Sequence, residues 1–142
     1  MKENLVSMVI ERALRYNNRD VFRYKNQKSG LYNSVSWNFF MHESQKVSRA
    51  LISMGFSCAD NIGIFSNNRP EWVISDIGIL GARAVVVPFY ATSSNQQLKY
   101  IADETRMKLI FVGNQEQYEK ALWLIENTET IKKIVVYNSD IA

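Results

Sequence analysis

The chain has 142 residues, 46% of them hydrophobic and 22% charged, with a net charge of +3. That length and balance suit one globular domain, which buries roughly two-thirds of the surface its unfolded form exposes and needs no disulfide staple. Lys and Arg are scattered with no run of five, which argues against the basic stripe that nucleic-acid binding requires.

Leu5, Val6, Val9, Ile10, Ala13 and Leu14 recur at helical spacing, so residues 3–16 are expected to form an amphipathic helix. Val21–Lys25 and Leu31–Val35 alternate apolar and polar around the loop Asn26–Gly30, which predicts a hairpin. Ser36 is placed to cap a helix over 37–54, with Phe40, Val47, Leu51 and Met54 on its inner face and Gly55 at the left-handed position beyond its end. Ile62–Ser66 is apolar on both faces and reads as a central parallel strand. Asn68 is the expected cap of a helix over 69–82, with Pro70 in its first turn and Glu71 placed to bond back. Trp72, Val73, Ile74, Ile77, Ile79 and Leu80 make that helix apolar nearly all round.

Ala84–Phe89 is a second buried strand, with Pro88 near its end. Ser94-Asn-Gln-Gln97 is a capping box, and Leu98, Ile101 and Ala102 give the inner face of the helix it opens. Lys108–Val112 is a third strand, Asn114–Gln117 opens a further helix, and Lys133–Tyr137 is a fourth strand. The expected fold class is therefore α/β. A parallel sheet of about four strands alternates with helices over 59–142, and a helix, a β-hairpin and a second helix precede it over 1–58, all within one domain. Ligands in such sheets bind beyond the carboxyl ends of the strands. Here those ends are Ser66-Asn67-Asn68, Phe89–Ser93, Gly113-Asn114 and Tyr137-Asn138-Ser139.

Several chemistries lack their motif. No G-x-G-x-x-G follows a strand, and there is no P-loop and no G-x-S-x-G elbow. One His and one Cys do not make a zinc site, so no metal ligands are assigned. His42 reads as an exposed helix residue, because a catalytic His needs an orienting partner. Cys58 has no adjacent cation to activate it and reads as a small loop residue. A role for Arg69 in phosphate contact is the weaker reading beside helix capping by Glu71. Tyr90-Ala-Thr-Ser-Ser94 is the strongest site candidate by position, since its hydroxyls and backbone amides precede a helix N-terminus. The alternative is that Thr92–Ser94 only cap that helix. No catalytic residue is assigned.

Asn68-Arg-Pro-Glu-Trp72, the helix Asp76–Ala82, Val86–Ser94, and Tyr100–Thr105 followed by Leu109–Val112 together resemble the adenylate-forming, AMP-binding superfamily. Within it they look most like long-chain fatty-acid–CoA ligases. The opening fits as well, in Asp20–Lys25 and in Val35-Ser-Trp-Asn38. The resemblance implies a parent enzyme that joins a fatty acid to CoA through an acyl-adenylate, using ATP, Mg²⁺ and CoA. The family's phosphate loop, adenine and ribose motifs and lid lysine have no counterpart here.

On this resemblance the chain is expected to be a truncated N-terminal subdomain, inactive alone and binding no cofactor alone, whose partners are its own remainder, fatty acid, ATP and CoA. The resemblance places Tyr90, Ala91, Thr92 and Ser93 beside the CoA channel and allows peripheral membrane contact in the parent. The competing expectation is a free-standing, non-catalytic α/β binding domain. The single cysteine and the absence of an apolar leader at Met1–Leu5 point to the cytoplasm. No apolar run of 18 residues lacks a charge, so no spanning helix is expected. The apolar helix over 69–82 predicts self-association, because one sheet face covers only one stripe of it.

Overall fold

Asn4 accepts a hydrogen bond from the Ser7 N–H at 2.9 Å and returns one from its own N–H to Ser7 Oγ at 3.0 Å, a reciprocal cap that opens the first helix. The structure, a computed structural model, describes residues 4–26 and 29–141. Glu3, Gln27 and Lys28, which the expected first helix and hairpin loop include, lie outside the described residues. The elements run α1 (Leu5–Tyr16), β1 (Asp20–Lys25), β2 (Tyr32–Ser36), α2 (Trp37–Ser53), β3 (Asn61–Phe65), α3 (Pro70–Gly81), β4 (Val85–Phe89), α4 (Asn95–Thr105), β5 (Leu109–Val112), α5 (Gln115–Asn127) and β6 (Lys133–Val136). They fall into two units. The first holds the described residues up to Gly55 with Arg69–Ala82, and the second holds Phe56–Asn68 with the described residues from Arg83 onward. α3 groups with the lead-in elements, although in sequence it lies between strands of the second unit.

In the first unit β1 and β2 pair antiparallel as a two-stranded sheet of their own. Ser36 Oγ accepts the Phe39 N–H at 3.2 Å and starts α2. The helix ends at Met54, and Gly55 follows with φ of 85°, a conformation a side chain would strain. Val9, Val35, Phe40, Ile74 and Ile77 form the core, with Phe22 edge-on to Phe40 at 5.7 Å. The two glycines of α3 are contact residues. A Cβ on Gly78 would lie 2.5 Å from Val47 Cβ and 2.9 Å from the Ser44 carbonyl oxygen, and one on Gly81 would collide with Ser48 Oγ. Ser48 Oγ in turn donates to the Gly78 carbonyl at 2.7 Å. Two helices approach this closely only where one presents bare backbone.

Two expectations for α3 need correction. The cap is Arg69, not Asn68, and it makes no side-chain cap bond. The residue before a proline is driven to extended backbone, and Arg69 accordingly has φ −158° and ψ 161°, so the helix cannot begin earlier. Glu71 accepts from Arg69 Nε at 2.7 Å instead of closing a capping box. Burial raises the Glu71 carboxyl, but the Arg69 hydrogen bond, a backbone N–H and the Arg69 charge outweigh it and leave the group below its ordinary value. The second correction concerns exposure. Ile74, Ile77 and Ile79 are buried, Trp72 and Leu80 are partly buried, and of the six apolar residues expected to crowd this helix only Val73 is exposed. α3 therefore presents less apolar surface than its sequence suggests.

Asp76 is partly buried on the same helix and has no ion pair among the described residues. Burial raises its carboxyl above the ordinary 3.8. A raised acid costs stability once it ionises, so the penalty is absent below the unfolded-state value and grows as pH rises through the folded one. Asp76→Asn should therefore raise the thermal midpoint at pH 7 and leave it unchanged at pH 3. A midpoint lowered at pH 7 would contradict this.

In the second unit the four remaining strands form one parallel sheet of order β4-β3-β5-β6. Central β3 and β5 are buried almost throughout, as their two-sided apolar sequences require. β4 is an edge strand, with Val85 and Pro88 exposed, so the expectation of a second fully buried strand holds only in part. Pro88 explains the place: it has no N–H to give a further neighbour. α4 and α5 cover one face, where Phe65, Phe89, Ile110 and Val112 pack with Leu98, Ala102, Ala121 and Leu124. On the opposite face Ile62, Ile64, Leu109 and Phe111 are also buried. No helix among the described residues is long and apolar enough to cross a membrane.

Candidate functional site

The parallel order brings the carboxyl ends of β4, β3, β5 and β6 to one edge of the second unit. Four connections leave this edge, three toward helices and one into the residues after β6.

After β4, the Ser93 N–H donates to the Tyr90 carbonyl at 2.9 Å and closes a tight turn. Tyr90 is 86% exposed, Thr92 is exposed, Ala91 is half-buried and Ser93 is buried. Ser94 alone caps α4, in a box with Gln97: its N–H donates to Gln97 Oε1 at 2.9 Å, and its Oγ accepts the Gln97 N–H at 3.3 Å. Of the two readings of this segment, capping therefore takes Ser94 only, and Tyr90, Ala91 and Thr92 remain on the surface of the edge. Lys120 of α5 pins the turn from behind. Its Nζ donates to the Ser93 carbonyl at 3.2 Å and pairs with Glu116 Oε1 at 2.8 Å.

After β3 and β5, two loops are tied into one. Asn114 Oδ1 accepts the Gln117 N–H at 2.9 Å and caps α5. The Gln117 side chain, 1% exposed, bridges the loops: its Oε1 accepts the Gly113 N–H and its Nε2 donates to Asn67 Oδ1, both at 3.1 Å. Ser66 Oγ, also buried, donates to the Asn67 carbonyl at 2.9 Å and occupies the space a Cβ on Gly113 would need. Gly113 is therefore a glycine for close approach. After β6, Tyr137 stacks on Phe111 with centroids 5.8 Å apart.

The residues set aside in the sequence lie elsewhere. His42 is exposed on α2, in the first unit, and Cys58 is exposed in the loop before β3, at the opposite end of the strand. Arg69 belongs to the first unit and pairs with Glu71. Among the described residues no group of His, Cys, Asp or Glu side chains is placed to hold a metal ion. What the edge offers is hydrogen-bonding capacity: exposed hydroxyls at Tyr90 and Thr92 and an exposed amide at Asn67. Gln117 and Lys120 were not singled out from the sequence. A polar residue three places after a cap reads as part of the cap, and a lysine on a helix reads as solvated. Only the buried position of Gln117 and the reach of Lys120 to Ser93 distinguish them.

A family model described as AMP-binding enzyme matches residues 9–141. The long-chain-fatty-acid–CoA ligase 1 of Homo sapiens is 36% identical over 115 residues, covering 76% of this chain and 16% of that one. The long-chain-fatty-acid–CoA ligase ACSBG1 of Rattus norvegicus is 28% identical over 130 residues, covering 92% of this chain and 18% of the relative. This chain thus spans less than a fifth of the length of either relative. Among solved structures, the coronafacic acid ligase of Pectobacterium brasiliense superposes with a TM-score of 0.86 at 19% identity, over 98% of this chain and 26% of the other. A Mycobacterium tuberculosis fatty acyl CoA synthetase gives 0.77 at 15%, over 96% and 27%. At such identities the structures speak for the fold alone.

Proposed function

Because the chain belongs to the family of AMP-binding enzymes, we propose that it is the N-terminal part of an ATP-dependent fatty-acid–CoA ligase. The observation that carries this reading is the 36% identity over 115 residues to a long-chain-fatty-acid–CoA ligase. The parent reaction joins a fatty-acid carboxylate to the thiol of CoA by way of an acyl-adenylate, with release of pyrophosphate and AMP. This chain contributes a frame for that reaction and not its charge-handling groups. Transferring a nucleotidyl group requires cations preorganised around the phosphates, and among the described residues no such set is assigned at the edge of the second unit. The described residues contain no cluster suited to Mg²⁺, so no step is assigned to a metal held by them. On this reading the 142 residues are inactive alone, and the enzyme works in the reducing cytoplasm, where the exposed Cys58 stays a thiol.

The turn Tyr90–Ser93 is the part of this frame we place beside the CoA thiol. Its position at the carboxyl edge, its exposed Tyr90 and Thr92, and its fixation by Lys120 support that role. The reading is tested with the longer enzyme that contains this segment, supplied with ATP, CoA and fatty acids of graded length. Acyl-CoA should appear by mass spectrometry, and its absence with every fatty acid would contradict the proposal. In the same enzyme Ala91→Trp, which adds bulk at the half-buried position of the turn, should slow thioester formation at least about tenfold more than adenylation, the gap expected when one step alone loses near 1.4 kcal/mol. Equal effects on the two half-reactions would remove the turn from the thiol's path.

A further inference from the structure

Gln117 is buried, yet its side chain touches both loops of the carboxyl edge, and its two amide atoms are not interchangeable. The Gly113 N–H is a backbone donor, so the Gln117 atom 3.1 Å from it must be the acceptor, Oε1. The other arm is then Nε2, a donor, and the Asn67 atom 3.1 Å from it must be the acceptor Oδ1. One choice remains for Asn67. Its Nδ2, with two N–H groups, is turned away from Gln117, on a residue that is exposed. A single backbone N–H thus decides, through a buried glutamine, which atom an exposed asparagine presents.

We propose that Gln117 is a positioning residue that aims Asn67 Nδ2 at the ligand crevice, so that the edge offers a donor to an acceptor oxygen of the ligand. The inference rests on the ligase reading for the identity of that ligand. Phosphate or carbonyl oxygens are the chemistry recognised, and ATP and CoA both carry them. The surrounding structure favours a fixed arrangement. Gln117 is held at its backbone by Asn114 Oδ1, and the Asn67 carbonyl is held by Ser66 Oγ. A donor fixed before the ligand arrives loses little freedom on binding it.

A strut that only joined two loops would be indifferent to which atom of Asn67 faces outward, and this separates the two roles. Asn67→Asp keeps an oxygen for Gln117 Nε2 but replaces the outward donor with an acceptor, at an exposed position the fold tolerates. In the longer ligase it should leave the melting temperature unchanged and lower kcat/KM about tenfold or more, the size expected when a hydrogen bond to a charged group is lost. The loss falls on pyrophosphate exchange if the acceptor belongs to ATP, and on thioester formation from preformed acyl-adenylate if it belongs to CoA. Gln117→Glu keeps the acceptor for Gly113 but loses the donor, so Asn67 must turn its oxygen outward. The same half-reaction should fall, and the deficit should shrink at lower pH, where the introduced carboxyl, once protonated, regains a donor.

In the 142-residue chain itself, the side-chain amide protons of Gln117 should exchange with solvent more slowly than those of Asn67, as read by NMR. Wild-type rates of both half-reactions in Asn67→Asp would overturn the proposal, as would protection of the Asn67 amide in place of that of Gln117. A longer enzyme with no turnover at all would sink the ligase reading instead, and the exchange rates would still decide the positioning.

Discussion

Phe65→Ala should destabilise the second unit by about 3–5 kcal/mol, the range for removing a buried phenyl ring and leaving its cavity. Phe65 ends central strand β3 with no exposed surface, and its ring meets that of Phe89 edge-on at 6.0 Å. It belongs to the cluster that Leu98, Ile110 and Leu124 close from α4, β5 and α5. The loss combines three parts: the transfer of a large apolar group, the aromatic pair, and a space its β-sheet neighbours cannot fill without bending the strands. Domains are commonly stable by about 5–15 kcal/mol, so the variant would approach unfolding at room temperature. Urea titration followed by circular dichroism measures it. A loss below about 1 kcal/mol would mean the site collapses around the missing ring, and the packing described for this face would be wrong.

Gly78→Ala should destabilise the first unit, and here two effects oppose each other. Alanine in a helix interior gains roughly 0.5–1 kcal/mol over glycine. Against this, the added methyl would lie 2.5 and 2.6 Å from Val47 Cβ and Cγ1, and 2.9 Å from the Ser44 carbonyl oxygen. Overpacking of a tight contact costs about 1–3 kcal/mol, and backbone cannot step aside as a side-chain tip can, so the clash wins. α2 and α3 must separate, which also stretches the 2.7 Å bond from Ser48 Oγ to the Gly78 carbonyl. Val47→Ala in the same chain should recover only part of the loss, because Val47 Cβ and the Ser44 carbonyl remain in the way. A Gly78→Ala chain as stable as the wild type would show that the two helices are not held at this distance.

The features legible in the sequence are those written in local chemistry. Ser36, Ser94 and Asn114 accept helix N–H groups where their types suggest, and Gly55 takes the left-handed position after α2. The two-sided apolar runs of Ile62–Phe65 and Leu109–Val112 mark the two strands that are buried throughout. Features that depend on neighbours in space were not legible. Pro88 hinted at a strand end, but the edge position of β4 follows from the order β4-β3-β5-β6, which no local pattern encodes. Gly78 and Gly81 looked like interruptions of an apolar helix and are its closest contacts. The uniform hydrophobicity of α3 suggested an uncovered face, yet most of it is buried. At the candidate site, the turn Tyr90–Ser93 was found by position, whereas Gln117 and Lys120 emerge only from the bonds they make across 50 and 27 residues.

The most direct test of the ligase reading compares fatty-acid-dependent ATP–pyrophosphate exchange by the 142-residue chain and by the longer enzyme that contains it, at equal molar concentration. The account predicts exchange by the longer enzyme and none above a protein-free control by the chain alone. Exchange by the isolated chain would place the phosphate-handling groups within these residues and contradict the account, as would a longer enzyme that exchanges pyrophosphate with no fatty acid offered.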